Sequence, residues 1–145
     1  MPLTTVVIMV DGLDPAYLET CSTPILRQLA EDGFIVEGMA MMPTVTNVNN
    51  VSIITGCYPQ THGITSNYWF NRQTVSELYM ESGEFIETQT MFQRATAMSA
   101  RSLVITAKDK LRQLLSDGAT LTVSSEQPPA WVVPVSYTHL PLPTN

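Results

Sequence analysis

Apolar runs punctuated by single glycines and prolines set the organisation of the chain. Residues 6–10, Val-Val-Ile-Met-Val, form an unbroken, largely β-branched run that ends at Asp11-Gly12. That pattern predicts a strand buried on both faces of a parallel sheet, with Asp11 at its C-terminal edge. Thr23-Pro24 then supplies a helix N-cap and first position; Ile25, Leu26, Leu29 and Ala30 make an apolar stripe, and Gly33 stops it. Phe34-Ile35-Val36, continued through Met39 to Met42 and ended by Pro43, predicts a further strand or pair of short strands. The methionines there are expected to fill the core.

Val48, Val51 and Ile54 recur at helical spacing over residues 47–55, and Gly56 ends the run, which puts Thr46 at a helix N-terminus. Residues 58–85 are rich in turn formers and aromatics and predict a loop region able to cover a site. A helix is expected over residues 91–98, a buried strand over 103–106, and a helix over 109–115 that stops near Gly118. The alternation implies an α/β fold with functional groups at strand C-terminal ends.

Composition narrows the function classes. With 44% hydrophobic and 14% charged residues, 145 residues suffice to bury one core. A formal charge of -6 argues against nucleic acid or an anionic membrane as partner, so an anionic substrate needs a locally focused positive site. Cys21 and Cys57 have no close spacing and read as buried, reduced thiols of an intracellular protein. The apolar run near the N-terminus is too short for a signal h-region or a membrane span, so a cytoplasmic location is expected.

Residues 135–144, Val-Ser-Tyr-Thr-His-Leu-Pro-Leu-Pro-Thr, resemble the translation of a transposase adaptor used in sequencing libraries, apart from Pro141. The expectation is therefore a native segment over residues 1–134 and a non-native tail over 135–145, in which His139 is no ligand or base.

Three places put polar groups after buried-type segments: Asp11, residues 44–50, and Lys108 with Lys110. All three are expected on one sheet edge. A carboxylate at a strand end can ligate a divalent cation, a Thr hydroxyl at a helix N-terminus is favoured to ionise, and two lysines supply charge for an anion. Each also has an ordinary explanation. Asp-Gly is a common turn, Asp14 before Pro15 reads as a turn residue, Asn49 and Asn50 can brace a helix start, and His62 reads as a structural hydrogen-bonder. Thr44 is a second candidate hydroxyl, placed before the helix.

The wording of these segments is more specific than their spacing. Val-Ile-Met-Val-Asp-Gly ending at Gly12, Thr-Asn-Val-Asn-Asn-Val-Ser-Ile-Ile-Thr-Gly at 46–56, His-Gly-Ile-Thr-Ser-Asn-Tyr at 62–68 and Val-Ile-Thr-Ala-Lys-Asp-Lys-Leu-Arg at 104–112 resemble the alkaline phosphatase superfamily. The branch is the one holding nucleotide pyrophosphatases/phosphodiesterases and phosphonoacetate hydrolases. This resemblance, spanning nearly all of residues 5–126, implies part of an α/β/α sandwich with a mostly parallel central sheet. It implies two zinc ions, with Asp11 and Thr46 as ligands of one and Thr46 as the nucleophile at phosphorus. Asn67 would hydrogen-bond the phosphoryl oxygens, and Lys108 and Lys110 would hold the substrate's charged groups, its carboxylate included.

The substrate class so implied is a small phosphonate or phosphate ester, with phosphonoacetate split into acetate and phosphate. A homodimer of the complete enzyme is compatible with it. Ser66 and Asn71 depart from the family's Gly and Asp, and its remaining Asp and His ligands are expected beyond Pro134, so the chain alone is expected to be inactive. The rival readings are a nucleotide pyrophosphatase or phosphodiesterase of the same superfamily and a structural fragment without activity.

Overall fold

The computed structural model describes residues 4–128 and divides into two compact units, Met1–Ala40 and Met41–Asn145. In the first unit, helix α1 spans Pro15–Thr20 and α2 spans Pro24–Asp32. Asp14, expected as a turn residue, is the N-cap of α1: its Oδ1 accepts the Ala16 N–H at 2.9 Å, and Pro15 supplies a first position that needs no N–H partner. Helix α2 begins and ends where its Thr-Pro and Gly signals put it, although its stripe is uncovered, Ile25 being 72% exposed.

Two expected strands are not formed. Residues 6–10 and 34–41 are irregular and mainly exposed, with Ile8 at 80% and Phe34 at 85%. A strand in the interior of a parallel sheet takes its hydrogen bonds from neighbours on both sides, and among the described residues no strand pairs with either segment. The methionine cluster is likewise corrected: Met39 and Met42 are exposed, and Met41 alone of the three packs against the core. Cys21 is exposed and Cys57 half-buried, both free, which corrects the expectation of two buried thiols.

The second unit is organised on helix α3, Thr46–Thr55, which buries Asn47, Val48, Asn50, Val51, Ile54 and Thr55. Gly56 ends it in the left-handed conformation, φ 65°, as the sequence requires. A short helix α4 spans Pro59–His62, and a hairpin pairs β1, Tyr68–Asn71, antiparallel to β2, Ser76–Tyr79. The expectation of a loop here is therefore corrected. Asn71 Oδ1 accepts the N–H groups of Gln73 and Thr74 and closes the hairpin turn, work that a short acidic or amide side chain does equally well.

After a 3₁₀ turn at Gly83–Phe85 come α5, Met91–Ala97, β3, Leu103–Thr106, α6, Asp109–Leu115, and β4, Leu121–Ser124. Strands β3 and β4 are parallel and joined through α6, a βαβ unit that bears out the α/β expectation with small, two-stranded sheets. Strand β3 is buried on one face only: Val104 is inside, while Leu103 and Ile105 are exposed. The core joins Val48, Val51 and Ile54 of α3 to Ile64, Met80, Val104, Leu114 and Leu115. Removing such side chains from water contributes roughly 1.5–3 kcal/mol each and fixes α3 against its neighbours.

Candidate functional site

Thr46 is the first residue of α3, half-buried, and its carbonyl accepts the Asn50 Nδ2–H at 2.8 Å. Asn49 binds the approach to the helix: its Oδ1 accepts the Met41 N–H at 2.9 Å, while its Nδ2 donates to the Met41 and Val45 carbonyls. Both asparagines therefore brace the helix start. Thr44 is exposed and lies outside the helix. Residues 34–45 being irregular, no strand leads directly into Thr46, contrary to the expectation of a shared sheet edge.

Asn67 reaches the same helix end from the chain leading into β1. Its Oδ1 accepts the Asn47 N–H at 3.2 Å, one residue after Thr46. A backbone N–H must meet an oxygen, so this contact fixes the orientation of the amide and leaves Nδ2 as its donor end. Asn47 is itself 1% exposed and donates through Nδ2 to the Met80 carbonyl at 2.7 Å, tying α3 to the end of the hairpin.

Lys108 and Lys110 flank the start of α6. Lys108 is its exposed N-cap, and its carbonyl accepts the Thr106 hydroxyl at 2.9 Å. Lys110 is half-buried, with Nζ over the Tyr79 ring at 4.3 Å from the centroid. The Tyr79 side chain holds the Lys110 pKa above its ordinary value, with smaller contributions from Tyr68 and Glu126. The Glu126 carboxylate accepts the Asp109 N–H at 2.7 Å and so occupies the N-terminus of α6. Tyr79, Asn47 and Glu126 were not singled out in the sequence. Their roles come from strand register and chain return, which no local pattern carries.

His62 is fully buried and structural, as expected. Its Nδ1 accepts the Ile64 N–H at 3.1 Å, so Nε2 bears the proton and donates to Ser52 Oγ at 2.9 Å, which donates on to the Val48 carbonyl. Burial lowers its pKa from 6.5. Below about pH 6.5 the unfolded chain takes up a proton that the folded one refuses, so stability falls with pH from there down to the lowered folded value. Urea unfolding between pH 7.5 and 5.5 should show a loss of at most about 1.4 kcal/mol per pH unit. His62→Gln should flatten that slope; an unchanged slope would place the titration elsewhere.

Asp11 belongs to the first unit, in a turn whose next residue, Gly12, has φ 75°. The geometry above is thus that of Thr46, Asn67, Lys108 and Lys110 in the second. Among the described residues no group of three or more His, Cys, Asp or Glu is placed to hold a metal ion. Nor, among the described residues, is any helix long and apolar enough to cross a membrane.

The profile of the Type I phosphodiesterase / nucleotide pyrophosphatase family matches residues 5–134. Two crystal structures of phosphonoacetate hydrolase from Sinorhizobium meliloti 1021 are similar at 39% identity. The complex with phosphonoacetate superposes with TM-score 0.70 over 74% of this chain and 27% of that one. The complex with phosphonoformate gives 0.74 over 80% and 30%. An uncharacterised pyrophosphatase/phosphodiesterase of Schizosaccharomyces pombe is 40% identical over 72 residues, 49% of this chain and 15% of that protein. Mouse ectonucleotide pyrophosphatase/phosphodiesterase family member 1 is 32% identical over 83 residues, 55% of this chain and 9% of that protein. The chain thus spans less than a third of the length of these relatives. With the family's profile matched over residues 5–134, the chain belongs to the Type I phosphodiesterase / nucleotide pyrophosphatase family of hydrolases, within the alkaline phosphatase superfamily.

Proposed function

We propose that this chain carries the nucleophile and substrate-binding part of a zinc-dependent hydrolase that splits phosphonoacetate into acetate and phosphate. The observation that carries the reading is the joint placement of Thr46 and Asn67 at one helix N-terminus, in a chain similar to phosphonoacetate hydrolase. Thr46 Oγ attacks phosphorus in line; the oxygen–phosphorus bond forms as the carbon–phosphorus bond breaks, and the leaving carbon takes the electron pair as acetate carbanion or enolate, which a proton then quenches. Water subsequently releases phosphate from Thr46.

The N-terminus of α3 favours the alkoxide and the negative charge that gathers beside it. Asn67 Nδ2 donates to the phosphoryl oxygens. Lys108 and Lys110 hold the carboxylate and stabilise the charge building on the departing carbon. Zinc, when bound with Thr46 as a ligand, would lower the nucleophile's pKa and take up phosphoryl charge.

The test uses a grafted enzyme in which residues 5–128 replace the matching segment of the Sinorhizobium meliloti phosphonoacetate hydrolase. Lys108→Ala and Lys110→Ala should each lower phosphonoacetate turnover by about tenfold to a hundredfold more than turnover of p-nitrophenyl phosphate, which has no carboxylate. Equal losses on both substrates would remove the lysines from carboxylate recognition. The family profile favours a second reading, a nucleotide pyrophosphatase or phosphodiesterase. Preferential turnover of an aryl phosphodiester would select it.

A further inference from the structure

One hydrogen bond closes the base of the β1–β2 hairpin and two tie it to α3. The Met80 N–H donates to the Asn67 carbonyl at 2.8 Å, Asn47 Nδ2 donates to the Met80 carbonyl at 2.7 Å, and the Asn47 N–H donates to Asn67 Oδ1. Met80 is 4% exposed and packs in the core, so this joint is anchored. The preceding residue is Tyr79, whose ring carries the Lys110 ammonium. Tyr68, its register partner across the hairpin, meets that ring edge-on at 5.0 Å and 85° and buttresses it. Lys110 therefore stands on α6 but is held from the hairpin, one residue away from the joint that grips the Thr46 helix.

We infer that Tyr79 is the positioning residue for Lys110, and that the hairpin base sets the span between Thr46 and the Lys110 ammonium. Such a device suits a small substrate with phosphorus at one end and a carboxylate a fixed distance away. The inference rests on the carboxylate role given to Lys110 above. A lysine on four flexible bonds is otherwise ordered only as substrate binds; the ring fixes the ammonium beforehand and reduces that cost.

Two measurements test it. In the 145-residue chain, acylation by acetic anhydride, followed by peptide mass spectrometry, should find Lys110 less reactive than exposed Lys108. Tyr79→Leu should raise the Lys110 rate about threefold to tenfold and leave Lys108 unchanged, with Tyr79→Phe raising it less, because the ring remains and only the hydroxyl contact is lost. In the grafted enzyme, Tyr79→Leu should raise KM for phosphonoacetate about threefold to tenfold, with a smaller change in kcat and none on p-nitrophenyl phosphate. It should also weaken discrimination against 3-phosphonopropionate, which is one carbon longer. An unchanged Lys110 acylation rate, a lowered KM, or equal losses on both substrates would overturn the positioning role. Lys110→Met in parallel separates the two readings. If it shows no carboxylate-dependent loss, the role of Lys110 itself fails and the inference with it; if it shows that loss and Tyr79→Leu does not, only the positioning role fails.

Discussion

Thr46→Ala in the grafted enzyme should lower phosphonoacetate turnover by roughly 10³- to 10⁶-fold, the range in which removal of a covalent nucleophile falls. Thr44→Ala should change it by about threefold at most, the size expected of an exposed residue that makes no bond to the reacting atoms. The contrast follows from two positions on the chain. Thr46 opens α3, where the helix dipole favours an oxyanion, and Asn67 stands one peptide away on the Asn47 N–H. Thr44 is exposed and precedes the helix. Thr44 does not cap α3, whose N-cap is Val45, so Thr44→Ala should also keep the parent's stability in urea to within about 0.5 kcal/mol. A loss in Thr44→Ala exceeding that in Thr46→Ala would transfer the nucleophile to Thr44.

How far the sequence could be read depended on where each element finds its hydrogen bonds. The turns of helices α2, α3, α5 and α6 bond within a few residues, and their starts and stops, Thr23-Pro24, Gly33, Gly56 and Thr90 with Gln93, lie in the local text. Residues 6–10 have the composition of a buried strand, but composition names a strand only when neighbours supply its ladder, and here the described residues supply none. The β1–β2 hairpin was hidden for a different reason. Its turn is made by the Asn71 side chain and carries Val75 at φ 51°, a conformation that β-branched residues seldom adopt, so no Asn-Gly signal marks it.

The site divides in the same way. Thr46, Lys108 and Lys110 could be found because each sits at the edge of an element visible in the pattern. Asn67 came only from resemblance, and its structural setting is the bond to Asn47. Tyr79 was invisible because its contact with Lys110 joins β2 to α6 across thirty-one positions of chain, a pairing decided by the core beneath them.

Gly118→Ala should be the most destabilising small substitution in the second unit, by roughly 3–5 kcal/mol. Gly118 has φ 81°, where an L side chain meets its own backbone, and a Cβ built there lies 2.5 Å from the Gln93 nitrogen and 2.6 Å from its Cα. Those atoms belong to the first turn of α5 and cannot swing aside as a flexible side chain would. The turn is also gripped from both sides. The Thr90 hydroxyl donates to the Asp117 carbonyl at 2.9 Å, Gln93 Nε2 donates to Asp117 Oδ2 at 2.7 Å, and the Thr96 hydroxyl donates to the Gly118 carbonyl at 2.8 Å. Thr90 and Gln93 meanwhile form the capping box that starts α5, so moving the helix away to admit a methyl group breaks the cap and the turn contacts together. Urea unfolding should show a lowered midpoint in Gly118→Ala and little change in Gly56→Ala beyond the conformational cost of its own positive φ, because nothing lies within 4 Å of a Cβ there. Equal destabilisation by the two would mean that conformation alone, and not the packing of α5 on the 117–118 turn, decides the cost.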